Sequence, residues 1–111
     1  PEAQLEQVRT INREMMRRYG DSPKPVFLGG DLNAEPGSET LRLLERTWRM
    51  LTPTDGGTYP SDEPEQCIDY LLQLRNGVRC EVTDARVLRR FGTGDVSRAS
   101  DHLPVLLEVR W

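Results

Sequence analysis

The first twenty residues place apolar side chains with the period of an α-helix. These side chains recur three or four positions apart, so that they share one face while charged residues occupy the other. They are Leu5, Val8, Ile11, Met15 and Tyr19. Gly20 follows directly and is typical of a helix end, because glycine readily adopts the conformation that terminates helices. The pattern predicts an amphipathic helix over residues 2–19.

Shorter apolar runs follow this helix. After a breaker-rich segment at 21–25, the unbroken run at 26–28 predicts a short strand that is buried on both faces. Gly37 or Ser38 can cap a second helix that reaches about Thr47. We expect Trp48, Met50 and Leu51 to pack behind that helix.

The second half of the chain reads as strands. A long connection at 52–66, rich in Pro, Thr, Gly and Asp, precedes three strand candidates at 68–74, 80–88 and 103–109. The order helix, strand, helix and three strands predicts an α/β or α+β fold in which at least part of the sheet is antiparallel.

Asn76-Gly77 is a strong hairpin signal between the first two of these strand candidates. We therefore expect a hairpin in which Gln73 lies opposite Cys80 and Cys67 lies opposite Arg86. This register separates the two sulfur atoms too far for a disulfide, so two free thiols are predicted. The cysteine spacing gives no zinc signal either.

Composition narrows the functional classes. The chain has 111 residues, of which 36 % are hydrophobic and 30 % charged, and its formal net charge is −3. This length fits one modest domain, and its short, interrupted apolar segments predict no membrane span. The slightly acidic balance argues against a broad nucleic-acid surface, but it allows a nucleic-acid enzyme with a local site.

Asp31 and Asn33 follow Gly29-Gly30, directly beyond the predicted strand at 26–28. Ligand sites of α/β sheets lie past the carboxyl ends of strands, which makes both residues candidates for a functional site. The alternative is an Asx turn before a capped helix, since Asp and Asn form such turns routinely.

Two further polar positions interrupt apolar runs. Asp69 lies inside the strand candidate at 68–74, where a carboxylate is costly unless it is paired; alternatively it faces solvent on an edge strand. Asp101 and His102, the only histidine, precede the last strand candidate. His102 is a candidate acid, electrophile or phosphate ligand, or else a solvated loop histidine.

These segments occur in an order that resembles a known family. Gly-Asp-Leu-Asn at 30–33, Ile-Asp-Tyr at 68–70 and Ser-Asp-His-Leu-Pro-Val at 100–105 are similar to the C-terminal half of the endonuclease/exonuclease/phosphatase superfamily. That superfamily includes deoxyribonuclease I, abasic-site endonucleases, sphingomyelinases and inositol polyphosphate 5-phosphatases. The Thr58-Tyr59 turn also fits. The resemblance implies half of a four-layer α/β sandwich with mixed, largely antiparallel sheets.

The resemblance also implies a reaction, which is hydrolysis of a phosphoester by water with the help of Mg²⁺ or, in its place, Mn²⁺. Asp31 matches the aspartate that orients or deprotonates the water, and Asn33 the asparagine that positions this water and a phosphate oxygen. Asp101 matches the aspartate at the metal site. His102 matches the histidine that holds a non-bridging phosphate oxygen, and Asp69 the carboxylate that keeps this histidine oriented and protonated.

The chain departs from the family by lacking the segments of the earlier half, among them the main metal-binding glutamate and a second histidine. We therefore expect residues 1–111 to be the C-terminal part of a domain about twice as long. Without the N-terminal half as its partner, this part is expected to be a poor catalyst and to leave one sheet face uncovered. The alternative is a non-catalytic half-domain that acts as an interaction or structural module.

The sequence says less about the substrate. The net charge of −3 and the acidic stretch at 62–65 weakly disfavour duplex DNA, so a small-molecule or lipid phosphoester is favoured, with nucleic acid as the other candidate. Four arginines before the last motif are candidates to receive an anion, or else they form a solvated face. They are Arg86, Arg89, Arg90 and Arg98.

Overall fold

The structure, a computed structural model, describes residues 2–62, 64–88 and 101–111. It is a small α+β fold with two helices and two antiparallel sheets, which confirms the predicted class. Of the four arginines named above, only Arg86 lies within the described residues, and Ser100 also lies outside them. The elements are α1 (Glu2–Tyr19), β1 (Phe27–Asp31), α2 (Glu39–Glu45), β2 (Trp48–Met50), β3 (Asp69–Leu74), β4 (Glu81–Val87) and β5 (Val105–Arg110).

Both predicted helices form. The backbone N–H of Gly20 donates to the carbonyl of Met16 (2.8 Å) at the end of α1, as the glycine stop predicted. Ser38 caps α2, since its side-chain oxygen accepts from the N–H of Leu41 (3.2 Å). The helix α2 ends at Glu45, two residues before the predicted end at Thr47.

The larger sheet has the order β1-β3-β2, so β3 is its central strand. Both helices pack beside it, and the core includes side chains from α1, α2, β2 and β3. Its members include Val8, Leu41, Leu44, Trp48, Tyr70, Leu72 and Leu74. Trp48 and Met50 were expected only to pack behind the second helix. They also lie in a strand, β2, in which Trp48 pairs with Leu74 across the sheet.

Two expectations about strands were wrong. The strand at β1 is not buried on both faces, since Phe27 is 39 % exposed. The hairpin across Asn76-Gly77 does not form either, because β3 pairs with β1 and β2 while β4 pairs with β5. A two-residue type I′ turn needs positive φ at both central residues, and of these two only Gly77 has it (φ 85°).

The two cysteines are free, Cys67 being buried and Cys80 half-buried. The prediction of free thiols is therefore confirmed, although the register from which it was argued does not exist. Pro104 directly precedes β5, where a residue without a backbone N–H removes no hydrogen bond from the strand. Within the described residues, no helix is long and apolar enough to cross a membrane.

Candidate phosphate and metal site

The candidate site begins where β1 ends and β3 starts. Asp31 is the last residue of β1 and lies directly opposite Asp69, the first residue of β3. Side chains of directly opposed residues in an antiparallel pair project to the same face of the sheet. The pairing therefore brings together two carboxylates that are 38 positions apart in the sequence.

Asp69 is a partly buried carboxylate with two hydrogen-bond partners. Its Oδ2 accepts from the hydroxyl of Thr58 (2.7 Å) and lies 2.8 Å from Nδ1 of His102. The side chain is 14 % exposed and stands on the central strand. The alternative that Asp69 faces solvent on an edge strand is therefore wrong, and the cost of placing this carboxylate in an apolar run is offset by its partners.

His102 lies in the segment before β5, which the 58–61 loop holds by backbone hydrogen bonds. The N–H of Leu103 donates to the carbonyl of Thr58, and the N–H of Ser61 donates to the carbonyl of Asp101 (2.7 Å each). The ring of Tyr59 lies against the imidazole, with 4.7 Å between centroids and 42° between planes. The His102 side chain is 27 % exposed, so it is not a solvated loop histidine.

The imidazole of His102 lies between the two carboxylates, with one ring nitrogen toward each. Nε2 of His102 lies 3.6 Å from Oδ2 of Asp31, while Nδ1 contacts Asp69. One atom from each of Asp31, Asp69 and His102 lies within 4.8 Å of the others. The three separate motifs thus meet at one corner of the fold.

The surroundings raise the pKa of His102 above its ordinary value of 6.5. The largest cause is the hydrogen bond to Asp69; burial opposes it, and the negative charges of Asp69, Asp31 and Asp101 add to it. Opposite charge and hydrogen bonding to the charged form both favour the protonated ring. The contact with Asp69 therefore favours the protonated form of the ring, in which Nδ1 carries the hydrogen that faces Asp69.

The turn after β1 shows that the Asx-turn interpretation was also right. Oδ1 of Asp31 accepts from the backbone N–H of Asn33 (2.8 Å), and Asn33 adopts the left-handed conformation (φ 49°). This turn fixes the Asp31 carboxylate while leaving Oδ2 directed at His102. Asn33 is exposed, and its side-chain amide has no hydrogen-bond partner among the described residues.

Asp101 is exposed and is not one of the three groups whose ligand atoms cluster, although its charge acts on His102. Mg²⁺ prefers oxygen ligands and is often held by one or two carboxylates, several waters and the phosphates of a substrate. Nδ1 of His102 and Oδ2 of Asp69 already contact each other (2.8 Å). Asp31 and Asp101 carry exposed carboxylates, the type of ligand that such a cation prefers.

Two residues at the site were not predicted to act there. Thr58 is fully buried, and besides donating to Asp69 its hydroxyl accepts from the N–H of Ile68 (3.2 Å). Tyr59 packs on His102. From the sequence, both residues are predicted only to form a turn that fits the family. Their side-chain contacts could not be predicted, because a loop has no hydrophobic periodicity.

Comparison with known proteins found no family model, no curated protein and no solved structure that matches this chain. The case for its chemistry therefore consists of the motifs and of the way the described residues meet in space.

Proposed function

We propose that the full-length protein is a Mg²⁺-dependent hydrolase of phosphoesters, and that this chain supplies the water-directing and phosphate-binding side of its active site. The observation that carries the proposal is the position of His102, whose Nδ1 contacts Asp69 (2.8 Å) and whose Nε2 is directed toward Asp31 (3.6 Å). Phosphoryl transfer depends on positioning and on charge stabilisation more than on covalent help, and this arrangement offers both.

His102 is proposed to hold a non-bridging phosphate oxygen. Its raised pKa favours the imidazolium, and because Asp69 contacts Nδ1, Nε2 is the nitrogen proposed to face the phosphate. An imidazolium N–H in a fixed orientation stabilises the negative charge that grows on the phosphoryl oxygens as the bond to the leaving group breaks.

Asp31 is proposed to orient the attacking water and to accept its proton. The Asx turn fixes the carboxylate. The Asp31 side chain remains 47 % exposed, and its Oδ2 lies close to His102. The water oxygen forms the new bond to phosphorus, the ester P–O bond breaks, and the leaving oxygen departs as the alcohol or its anion. Asn33, with its exposed amide, is proposed to hold the same water and a phosphate oxygen.

Asp101 is proposed as this chain's ligand to Mg²⁺. When bound, the cation would offset the repulsion between the carboxylates and an anionic substrate. The remaining ligands are proposed to come from the N-terminal half that the family resemblance implies.

The burial pattern supports the proposal that this chain is one half of a sandwich. None of the described side chains of β4 and β5 is buried, although these strands carry seven apolar residues. They are Val82, Ala85, Val87, Val105, Leu106, Leu107 and Val109. The faces of paired sheets are normally buried against each other, so this sheet fits a further layer.

The competing interpretation is a structural module without catalysis. The bonds from Thr58 to Asp69 and from Leu103 to Thr58 tie the last strand to the larger sheet, a role that needs no substrate. The two interpretations differ in what removal of the Asp31 carboxylate does: in a structural module the lost contact with His102 (3.6 Å) affects stability alone, whereas in a catalyst hydrolysis is lost.

The test is a Mg²⁺-dependent screen of the full-length protein on phosphate monoesters, sphingomyelin and abasic DNA. The Asp31→Asn variant should keep the Asx turn and lose at least about a hundredfold in rate, the usual scale of a general base. Asp21→Asn, an exposed aspartate in a loop away from the site, is the matched control and should keep full activity. No hydrolysis of any of these substrates by the wild-type protein, or an unchanged rate for Asp31→Asn, would contradict the proposal.

A further inference from the structure

A second groove lies at the other end of the strands. It has a volume of about 680 Å³, which is within the range of roughly 300–1,000 Å³ that ligand pockets usually show. Its walls include Arg49, Arg79, Cys80, Glu81, Arg110 and Trp111. The groove is thus formed by residues from β2, from the loop before β4, and from the outer ends of β4 and β5.

This groove is separate from the candidate phosphate site. Asp69 begins β3 at the phosphate site, whereas Gln73, which contacts Arg49 at the groove, lies four residues along the same strand. At a rise of about 3.3 Å per residue, this spacing corresponds to roughly 13 Å. In the smaller sheet, Glu81 pairs with Arg110 at the groove, while Val87 pairs with Val105 at the end near His102.

The groove carries a positive charge. Three arginines line it against one glutamate. Arg79 is exposed and has no ion-pair partner among residues 2–62, 64–88 and 101–111. Arg110 is 3.9 Å from Glu81, but both side chains are more than two thirds exposed, so this contact neutralises little of the charge.

Part of this charge is held in place before any ligand arrives. The guanidinium of Arg49 donates to the side-chain oxygen of Gln73 and to the carbonyl of Cys80 (3.0 Å each). Gln73 is only 3 % exposed, and its amide nitrogen donates to the carbonyl of Val78 (3.0 Å). One buried side chain therefore fixes both the arginine and the loop beside it, which lowers the entropy cost of binding.

An aromatic surface adjoins these charges. Trp111 lines the groove and is 67 % exposed, whereas the other tryptophan, Trp48, is 1 % exposed. An exposed indole offers a face on which a nucleobase can stack, and the arginines offer N–H groups that suit phosphate. A site that binds only an anion requires the arginines but not the indole ring beside them.

We propose that this groove binds a nucleotide, with Trp111 stacked on the base and Arg79 and Arg110 bound to the phosphate. The inference stands apart from the proposed hydrolysis, because none of the groove residues belongs to the candidate phosphate site. A free mononucleotide and a nucleotide within a single strand share this chemistry, and the ligands of the test separate them.

The test measures binding to the full-length protein by calorimetry, in a chelating buffer without Mg²⁺. The ligands are adenosine monophosphate, adenosine, inorganic phosphate and a short single-stranded oligonucleotide. The monophosphate should bind at least about tenfold more tightly than adenosine or phosphate alone, because only it uses both the ring and the charges. If the oligonucleotide binds more tightly than the monophosphate, the groove is a site for single strands. If it binds equally or less tightly, the groove is a site for free nucleotides.

Variants locate the binding. Arg79→Gln should weaken the monophosphate about tenfold, the loss expected for one charge-assisted contact. Arg13→Gln removes the same charge from an exposed position on α1 and should leave the affinity unchanged. Tryptophan fluorescence should report quenching at the exposed Trp111 when the monophosphate is added.

Three results would overturn the inference. The monophosphate could bind no more tightly than inorganic phosphate, which leaves only an anion site. The Arg79→Gln and Arg13→Gln variants could have the same affinity for the monophosphate, which would show that the groove does not bind it. The affinity could fall in His102→Gln and not in Arg79→Gln, which assigns the nucleotide to the candidate phosphate site without deciding whether that site hydrolyses it.

Discussion

At the scale of single residues, the candidate site depends on how His102 is held. Asp69 contacts Nδ1, Tyr59 packs on the ring, and Nε2 is directed toward Asp31. These contacts restrain the orientation of the imidazole, and the hydrogen bond to Asp69 favours its protonated form. The arrangement is specific enough to be tested one group at a time.

The first prediction concerns the pKa of His102, which should lie above 6.5 and should fall in the Asp69→Asn variant, since the hydrogen bond to Asp69 is the largest cause of the shift. The chain has one histidine, so a proton NMR titration gives a single ring signal to follow. A pKa at or below 6.5 in the wild type, or no decrease in the variant, would contradict the geometry.

The same shift predicts how stability depends on pH. Because the folded state binds the His102 proton more tightly than the unfolded state, the contact stabilises the fold fully below pH 6.5. This contribution is lost as the pH rises through the higher pKa of the folded state. Denaturant unfolding at a series of pH values should show a decrease across that interval in the wild type, and a smaller decrease in Asp69→Asn.

Thr58 provides a further test. In Thr58→Val the shape is kept, but the partly buried Asp69 oxygen keeps only His102 as a partner, and the buried N–H of Ile68 loses its acceptor. The free energy of unfolding should fall by about 1–3 kcal/mol, the usual cost of an unsatisfied buried polar group. Thr58→Ser keeps the hydroxyl and should lose only about 1 kcal/mol for the missing methyl group. Equal stability of the valine variant and the wild type, measured by urea unfolding, would count against this role.

At the scale of elements, the sequence predicted those structures that depend on interactions between residues close together in the chain. The apolar spacing of α1 and the cap at Ser38 depend on residues a few positions apart, and both helices formed. The partners of β3 depend on residues far away in the chain. The Asn76-Gly77 signal competed with Asn76 side-chain bonds to the carbonyls of Tyr19 and Lys24, which fix the loop to the end of α1 and the segment after it.

For the candidate site, the sequence likewise predicts which residues matter but not how they are arranged. Asp31, Asp69 and His102 could be singled out because each is a polar residue beside or inside an apolar run. Their mutual distances could not be read from the sequence, because they depend on the antiparallel pairing of β1 with β3 and on the 58–61 loop. Thr58 is the clearest omission, since its contacts are made entirely through that loop.

The cap of α2 gives a prediction at this scale. Ser38→Ala removes the acceptor for the N–H of Leu41 and should lower the free energy of unfolding by about 1 kcal/mol, within the usual 0.5–2 kcal/mol for a helix cap. Ser38→Asp retains an acceptor and should remain close to the wild type. If urea unfolding gave the same loss for both variants, the cap would not be the source of the effect.

At the scale of the whole molecule, the chain is less compact than its length allows. Its radius of gyration is 14.8 Å, against roughly 13 Å for a compact domain of about 110 residues. The core lies between the two helices and the larger sheet, while the side chains of β4 and β5 are at most half-buried. This distribution supports the proposal that a further layer covers the smaller sheet.

That proposal predicts how residues 1–111 behave alone. The polypeptide should bind a hydrophobic dye or associate during gel filtration, because among the described residues none of the apolar side chains of β4 and β5 is buried. The full-length protein is the control and should do neither. A compact monomer of residues 1–111 that binds no dye would contradict the half-sandwich.

The most direct test of the central claim is a double-mutant cycle on Mg²⁺-dependent hydrolysis by the full-length protein. The variants are Asp31→Asn, His102→Gln and the combination of both. Residues that act on one phosphate as a unit are strongly non-additive, so the double variant should be about as slow as the slower single variant. Losses that multiply, or single variants that hydrolyse at the wild-type rate, would show that Asp31 and His102 do not share an active site.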